Sequence, residues 1–158
     1  MKPFRLLITV LSLGVMFSFS GCGGGGGKGE TTQDKQFGML SSKVWNISAV
    51  TLGGVDQTSA WTTAGFKLTI SGTAGQTTFN YSCAGRPALG PWPASGTWAF
   101  GDDPTHTIVR DKSTADELPM SYTVATGTSN SLQVTFTYSG AGYTRVDNVS
   151  GTWVFTFN

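Results

Sequence analysis

The 158-residue sequence has few charged residues, two cysteines and a single histidine. Charged side chains make up 12% of the chain, whereas about a quarter is usual in globular proteins. The formal net charge is +1 at pH 7, so the sequence offers no basic field that would attract nucleic acid. Few side chains remain from which a nucleophile, a base or a metal site could be built. We therefore expect no catalytic residue, no metal, no cofactor and no nucleic-acid partner.

The sequence also lacks an apolar run long enough to span a bilayer as a helix. The longest such stretch, Leu6–Phe19, follows the cations Lys2 and Arg5 and ends in small residues. This pattern is typical of an export signal, and we assign residues 1–21 to a signal peptide. The segment closes with Phe19-Ser20-Gly21-Cys22, which resembles a bacterial lipobox.

A lipobox implies that Cys22 becomes the first mature residue and carries a lipid that inserts into the bilayer. An ordinary signal peptide that happens to contain a cysteine is the alternative. Five glycines and a polar stretch follow Cys22, a composition that does not build a packed core. We therefore predict a lipidated cysteine with a flexible tether over residues 22–40, and a folded domain over residues 41–158.

Apolar and polar residues alternate through most of the folded domain, and no window shows a useful helical period. In the clearest case Leu132, Val134 and Phe136 share one parity while Gln133 and Thr135 share the other. Such alternation is typical of half-buried strands. It predicts eight strands, at residues 43–52, 65–72, 76–83, 96–101, 105–110, 119–126, 131–139 and 149–157. Eight consecutive antiparallel strands can bury one apolar face by closing into an all-β up-and-down barrel, and a two-sheet β-sandwich is the alternative.

The connections between the predicted strands alternate in length. Long ones at residues 53–64, 84–95, 111–118 and 140–148 are separated by short turns at 73–75, 102–104 and 127–130. Successive connections of an up-and-down barrel lie at opposite ends. The long loops would therefore surround an open mouth, and the short turns would form a closed end. The first strand begins at the closed end, which places the tether there and turns the mouth away from the membrane.

Gly96-Thr97-Trp98 opens a predicted strand with a glycine two residues before a tryptophan. Together with the lipoprotein signal, the glycine-rich tether and the eight strands, this motif resembles the lipocalin-like, calycin-type lipoproteins common in Bacteroidota. The resemblance implies a barrel that can hold a small apolar ligand and a lipid anchor in the outer membrane of the cell envelope. In that phylum acidic residues after the lipidated cysteine accompany surface export. The glycines after Cys22 therefore favour a periplasm-facing placement.

Aromatic and cationic residues in and below the predicted mouth are the candidate ligand-binding residues. The loops contribute Trp61, Trp92, Tyr143 and Arg86, and the strands contribute the inward-facing Trp98 and Trp153. We expect non-enzymatic binding of a small apolar or amphipathic ligand at the barrel mouth. The alternative is a packed barrel, with Trp92 folded back as a plug, that presents its long loops to an envelope protein or a glycan.

Overall fold

The computed structural model of the protein describes residues 29–88, 90–127, 129–140 and 149–158. The predicted signal peptide, Cys22 and the five glycines after it lie outside the described residues. The described chain forms two helices, α1 (Thr32–Leu40) and α2 (Thr58–Ala64). Its strands are β1 (Trp45–Leu52), β2 (Val55–Asp56), β3 (Lys67–Ser71), β4 (Phe79–Ala84), β5 (Ser95–Phe100), β6 (Thr107–Arg110), β7 (Leu118–Ala125), β8 (Ser131–Tyr138) and β9 (Gly151–Phe157).

Eight of these strands form a closed antiparallel barrel. Strands that follow one another along the chain pair with each other, and β1 closes the barrel by pairing with both β3 and β9. Trp45 lies opposite Leu68 of β3, and Val50 lies opposite Phe155 of β9. The short β2 folds back onto the end of β1. The predicted eight-stranded all-β barrel is confirmed, and the sandwich alternative is not the fold.

Each predicted strand range overlaps one strand of the barrel. In β8 the residues of one parity, such as Leu132 and Val134, are buried, while Gln133 is exposed. The largest shift in a boundary is at the start of β4, which begins at Phe79 rather than at residue 76. The preceding turn causes it, because the side chain of Gln76 accepts a hydrogen bond from the Thr73 N–H at 2.9 Å and is held out of the strand.

Helix α1 lies in the range that the sequence assigns to the flexible tether. Thr31 and Asp34 form a capping box, in which each side chain accepts a hydrogen bond from the other residue's backbone N–H. Phe37 and Leu40 are buried, and the Phe37 ring stacks on Phe79 with 4.5 Å between centroids. The prediction of a flexible tether up to residue 40 is therefore wrong from Thr31 onwards. Two apolar residues three positions apart are enough to dock a short, well-capped helix on the barrel.

Helix α1 covers the end of the barrel at which β1 begins. The Gly75 N–H, in the β3–β4 turn, donates to Asp34 Oδ1 at 2.7 Å. The Tyr122 hydroxyl donates to Gln36 Oε1 at 3.0 Å. The chain thus enters the barrel at the end to which the β3–β4, β5–β6 and β7–β8 connections belong, as predicted. We call this the α1 end, and we call the opposite end, where β1 finishes, the mouth end.

Aromatic rings fill the barrel interior in two groups. At the α1 end Phe79 stacks on Phe37 and on Trp98, with centroid distances of 4.5 and 4.6 Å. At the mouth end Phe155 of β9 lies at the centre of the second group. Its ring neighbours are Trp61, Phe66, Trp92, Phe136, Trp153 and Phe157. The inward positions of the strands are thus occupied mainly by large side chains that pack against one another.

Phe37→Ala tests whether α1 belongs to the folded domain. Truncating a buried phenylalanine removes apolar contacts and leaves a cavity, so we expect the free energy of unfolding to fall by about 3 kcal/mol. Lys35→Ala changes an exposed side chain of the same helix and should shift that free energy by less than about 0.5 kcal/mol. Urea denaturation followed by tryptophan fluorescence measures both. Equally small effects would mean that α1 does not contribute to the core.

Candidate functional site

Trp61 closes one half of the mouth end. It is carried by α2, which is capped at its C-terminus by Gly65 in the left-handed conformation, with φ at 70°. The Trp61 side chain is 1% exposed. Its ring meets Phe66 and Phe155 edge to face, with centroid distances of 4.8 and 4.7 Å. The expectation that Trp61 stands in an open mouth loop is therefore wrong, because a short helix folds its large ring into the barrel.

Trp92 closes the other half of the mouth. It lies in the connection 85–94, between Pro91 and Pro93, and is 3% exposed. Its ring stands nearly perpendicular to those of Phe136 and Phe155, at 87° and 85°. The indole N–H has no hydrogen-bond acceptor among the described residues, and edge-to-face ring contacts stabilise the side chain. The alternative prediction, that Trp92 folds back as a plug, is confirmed.

The other predicted ligand-binding residues do not form an open site with these two. Arg86 is half-buried and donates from Nη1 to the carbonyl of Trp92 at 2.9 Å, so it holds the plug in place. Trp98 and Trp153 face inward, as their strand positions predict, and are 3% and 2% exposed. Tyr143 lies outside the described residues. The structure thus assigns packing roles to the described members of the predicted set.

The barrel interior has little free space between its described residues. Between the two aromatic groups, the centre of a water molecule can occupy about 20 Å³. On this measure one water needs about 10–15 Å³, whereas small-molecule sites span about 300–1,000 Å³. A ligand of ordinary size would therefore have to displace Trp61 or Trp92.

A groove with a volume of about 530 Å³ runs outside the plug, along the rim of the mouth end. It lies between the connections 85–94 and 111–117, next to the end of β8. Its walls include Pro91, Pro93, Asp116, Glu117, Leu118 and Tyr138. We call it the rim groove. A wider depression of about 820 Å³ on the outer wall of β6–β8 is more open to solvent.

The floor of the rim groove contains a buried ion pair that the sequence analysis did not single out. Arg110, at the end of β6, is 4% exposed. Its Nη1 donates to the Pro91 carbonyl at 2.9 Å, and its guanidinium lies 5.6 Å from the centroid of the Trp92 ring. Arg110 Nε is 3.4 Å from Asp111 Oδ2, an ion-pair contact without hydrogen-bond alignment. The sequence contains one indication that Arg110 is buried: it lies two residues after Ile108, on the same inward face of the strand.

The Asp111 carboxylate joins this floor to two further strands. Its Oδ1 accepts a hydrogen bond from the Thr97 N–H at 2.8 Å, and its Oδ2 accepts one from the Tyr81 hydroxyl at 3.1 Å. Burial raises the pKa of Tyr81, so its hydroxyl stays protonated and able to donate. Asp111 reaches these partners with φ at 49°, a conformation that is costly for a residue with a side chain. Backbone strain of this kind is concentrated at functional sites.

Hydrogen bonds within residues 111–117 shape one wall of the rim groove. Ser113 has φ at 65°, and its N–H donates to Glu117 Oε2 at 2.6 Å. The Thr114 hydroxyl donates to the Asp111 carbonyl at 2.6 Å and accepts from the Asp116 N–H at 3.1 Å. Because these contacts lie within the chain, the wall is formed before any partner binds.

Two other side chains that could react chemically are Cys83, which is partly buried, and Asp103, which is hydrogen-bonded within the fold. Burial raises the pKa of Cys83 to about 12, so its thiol is protonated at neutral pH. Asp103 lies 3.0 Å from His106 Nδ1, and its hydrogen bonds with Thr105, followed by that with His106, lower the pKa of the Asp103 carboxyl to about 2. Within the described ranges, no three histidine, cysteine, aspartate or glutamate side chains are grouped so that they could hold a metal ion.

No protein-family model, curated protein or solved structure matches this chain. No helix in the part of the chain that the structure describes is long and apolar enough to cross a membrane. The function of the protein is therefore inferred from the geometry of the barrel and its rim groove.

Gly96→Ala tests whether the Asp111 contacts hold the groove floor together. A Cβ on Gly96 would collide with the Asp111 carboxylate and lie 2.6 Å from the Tyr81 hydroxyl. We expect the free energy of unfolding to fall by about 2 kcal/mol, the usual cost of overpacking. Gly127→Ala is the matched control, because its Cβ would meet no atom within 4 Å. Chemical denaturation measures both variants, and a Gly96→Ala protein as stable as the control would contradict this account of the floor.

Proposed function

We propose that this protein is a lipid-anchored, non-enzymatic binding module of the bacterial cell envelope, and that the rim groove receives its partner. One observation carries the proposal: the barrel interior offers about 20 Å³, while the groove outside the plug offers about 530 Å³. The second volume lies within the range of known binding sites and the first does not. The proposal thus follows the alternative of a packed barrel that presents its loops to an envelope protein or a glycan.

Binding inside the mouth is the less favourable geometry, because the Trp92 plug is held from two sides. Arg86 donates to the carbonyl of Trp92, and Arg110 donates to the carbonyl of Pro91, both at 2.9 Å. A small apolar ligand at that position would have to break these contacts and expose a buried indole. A partner in the rim groove leaves them intact.

Two of the groove's three carboxylates make contacts within the fold, and this use supports binding rather than catalysis. The Asp111 carboxylate is shared among Arg110, Thr97 and Tyr81. One oxygen of Glu117 accepts from the Ser113 N–H. Carboxylates committed to structural contacts give a rigid surface, and a rigid surface loses little conformational entropy when a partner associates.

The position of α1 supports the proposed arrangement at the membrane. This helix covers the α1 end, and the rim groove lies at the opposite end. A lipid on Cys22, upstream of α1, would attach the barrel to the outer membrane with the groove turned away from the bilayer. The glycines after Cys22 stand where surface-exported lipoproteins of Bacteroidota carry acidic residues, which supports a groove that faces the periplasm.

Site-specific crosslinking in cells tests the groove. Ala115 and Ser139 are exposed and line it, so a photoreactive benzoylphenylalanine at either position should give one discrete crosslinked species. Gln133 is exposed on the outer wall of β8 and is the matched control, expected to give none. Protease or glycosidase digestion of the adduct tells a protein partner from a glycan. The same adduct from Gln133, or none from either groove position, would contradict the proposal.

Cys22→Ser tests the anchor. We expect this variant to lose incorporation of an alkyne-labelled fatty acid and to leave the membrane fraction, because the thiol that would carry the lipid is gone. Cys83→Ser is the control, since it removes the buried thiol and should keep both the label and the membrane attachment. A Cys22→Ser protein that still carries the fatty acid would rule out Cys22 as the anchor.

A further inference from the structure

We infer that the rim groove selects a basic segment of a partner protein, one that places a lysine or arginine side chain beside apolar residues. This inference rests on the proposed function and adds the chemistry of the partner to it. Three features of the groove carry it: its charge, the availability of its carboxylates and the apolar surface next to them.

The rim groove concentrates negative charge in a chain that has little charge of either sign. The sequence contains nine acidic residues, and three of them, Asp111, Asp116 and Glu117, line this groove. Arg110 is the one cation among the described residues that line it. Three carboxylates against one guanidinium leave a formal charge of −2. A partner of the opposite charge is therefore attracted, and nucleic acid or an anionic lipid headgroup is repelled.

Arg110 is not available to an anionic partner. It is 4% exposed, donates to the Pro91 carbonyl at 2.9 Å and lies 3.4 Å from the Asp111 carboxylate. Its charge is therefore neutralised within the fold. Arg110 Nε makes no hydrogen bond among the described residues, but it faces the Asp111 carboxylate and belongs to that ion pair.

Two carboxylates remain for a partner. Asp116 and Glu117 are exposed. The Asp116 carboxylate has no hydrogen-bond or ion-pair partner among the described residues, since the backbone N–H of Asp116 makes the contact with Thr114. Glu117 uses Oε2 for the Ser113 N–H, which leaves its other oxygen. An ammonium or guanidinium group can therefore donate charge-assisted hydrogen bonds to these carboxylates.

Apolar surface adjoins these carboxylates. Pro91, Pro93, Leu118 and Tyr138 contribute to the same groove. Lysine and arginine carry a long aliphatic stem below the charged head, and such a stem packs on apolar surface while its head reaches a carboxylate. This combination fits a polypeptide segment better than an isolated metal cation or a neutral glycan.

A peptide titration of the full chain in neutral detergent tests the inference. Three probes differ at one position: acetyl-Ala-Leu-Lys-Ala-amide and its glutamine and glutamate counterparts. Backbone amide shifts of residues 115–118 and 139 report binding in the groove. Two exposed ion pairs of ordinary strength should make the lysine peptide bind about fivefold more tightly than the glutamine peptide at low salt. The glutamate peptide should bind most weakly, and added salt should reduce the differences.

The double variant Asp116→Asn/Glu117→Gln should abolish the preference for lysine while leaving the fold intact, because a glutamine oxygen can still accept from the Ser113 N–H. Glu30→Gln/Asp102→Asn removes the same charge from exposed positions outside the groove and should keep the preference. Groove amides that respond equally to the three peptides, or most strongly to the glutamate peptide, would overturn the inference and leave the proposed function standing. Groove amides that respond to no peptide would also overturn it, and the crosslinking result decides the proposed function separately.

Discussion

The mouth end of the barrel depends on one buried charge. Arg110 ends a strand at an inward position, and an unpaired guanidinium at 4% exposure would be strongly destabilising. Its neighbours meet that requirement in three ways: the Pro91 carbonyl accepts from it, the Trp92 ring lies over it, and Asp111 pairs with it. The first two contacts hold the plug loop in the mouth. The third draws the next residue of the chain into the left-handed conformation that starts one wall of the rim groove.

The aromatic content of the inward positions explains why this barrel is filled. An eight-stranded barrel is just wide enough for side chains to occupy its interior. Here the rings of Phe79, Trp98 and Phe155 lie inside the barrel. The rings of Trp61 and Trp92, which belong to a helix and a connection, pack into it as well. A barrel packed in this way is a rigid support whose outer surface remains for recognition. The groove therefore lies where two connections leave the packed core, beyond the last layer of rings.

The barrel could be predicted from the sequence because most of its strands alternate between buried residues and more exposed ones, and the alternation of apolar and polar residues shows this pattern directly. The docking of α1 could not be predicted. Phe37 and Leu40 alone give too weak a helical period, and their burial depends on the end of the barrel that they cover. Trp92 was predicted either as a ligand contact or as a plug, and only tertiary packing separates the two. The ion pair was the least predictable part of the site. Its geometry requires a positive φ at Asp111, and a residue other than glycine does not indicate that conformation in the sequence.

The order of elements along the chain places α1 and the rim groove at opposite ends of the barrel. Helix α1 is the first element that the structure describes, and it seals one end of the barrel through Phe37 and Leu40. The strands place the connections that line the rim groove at the mouth end, opposite α1. A force or an anchor at the amino terminus thus acts on α1, while the groove is supported by Arg110 and Asp111 on the opposite side of a packed core. Because that core separates them, the proposed lipid anchor and the proposed binding of a partner would not compete for the same surface.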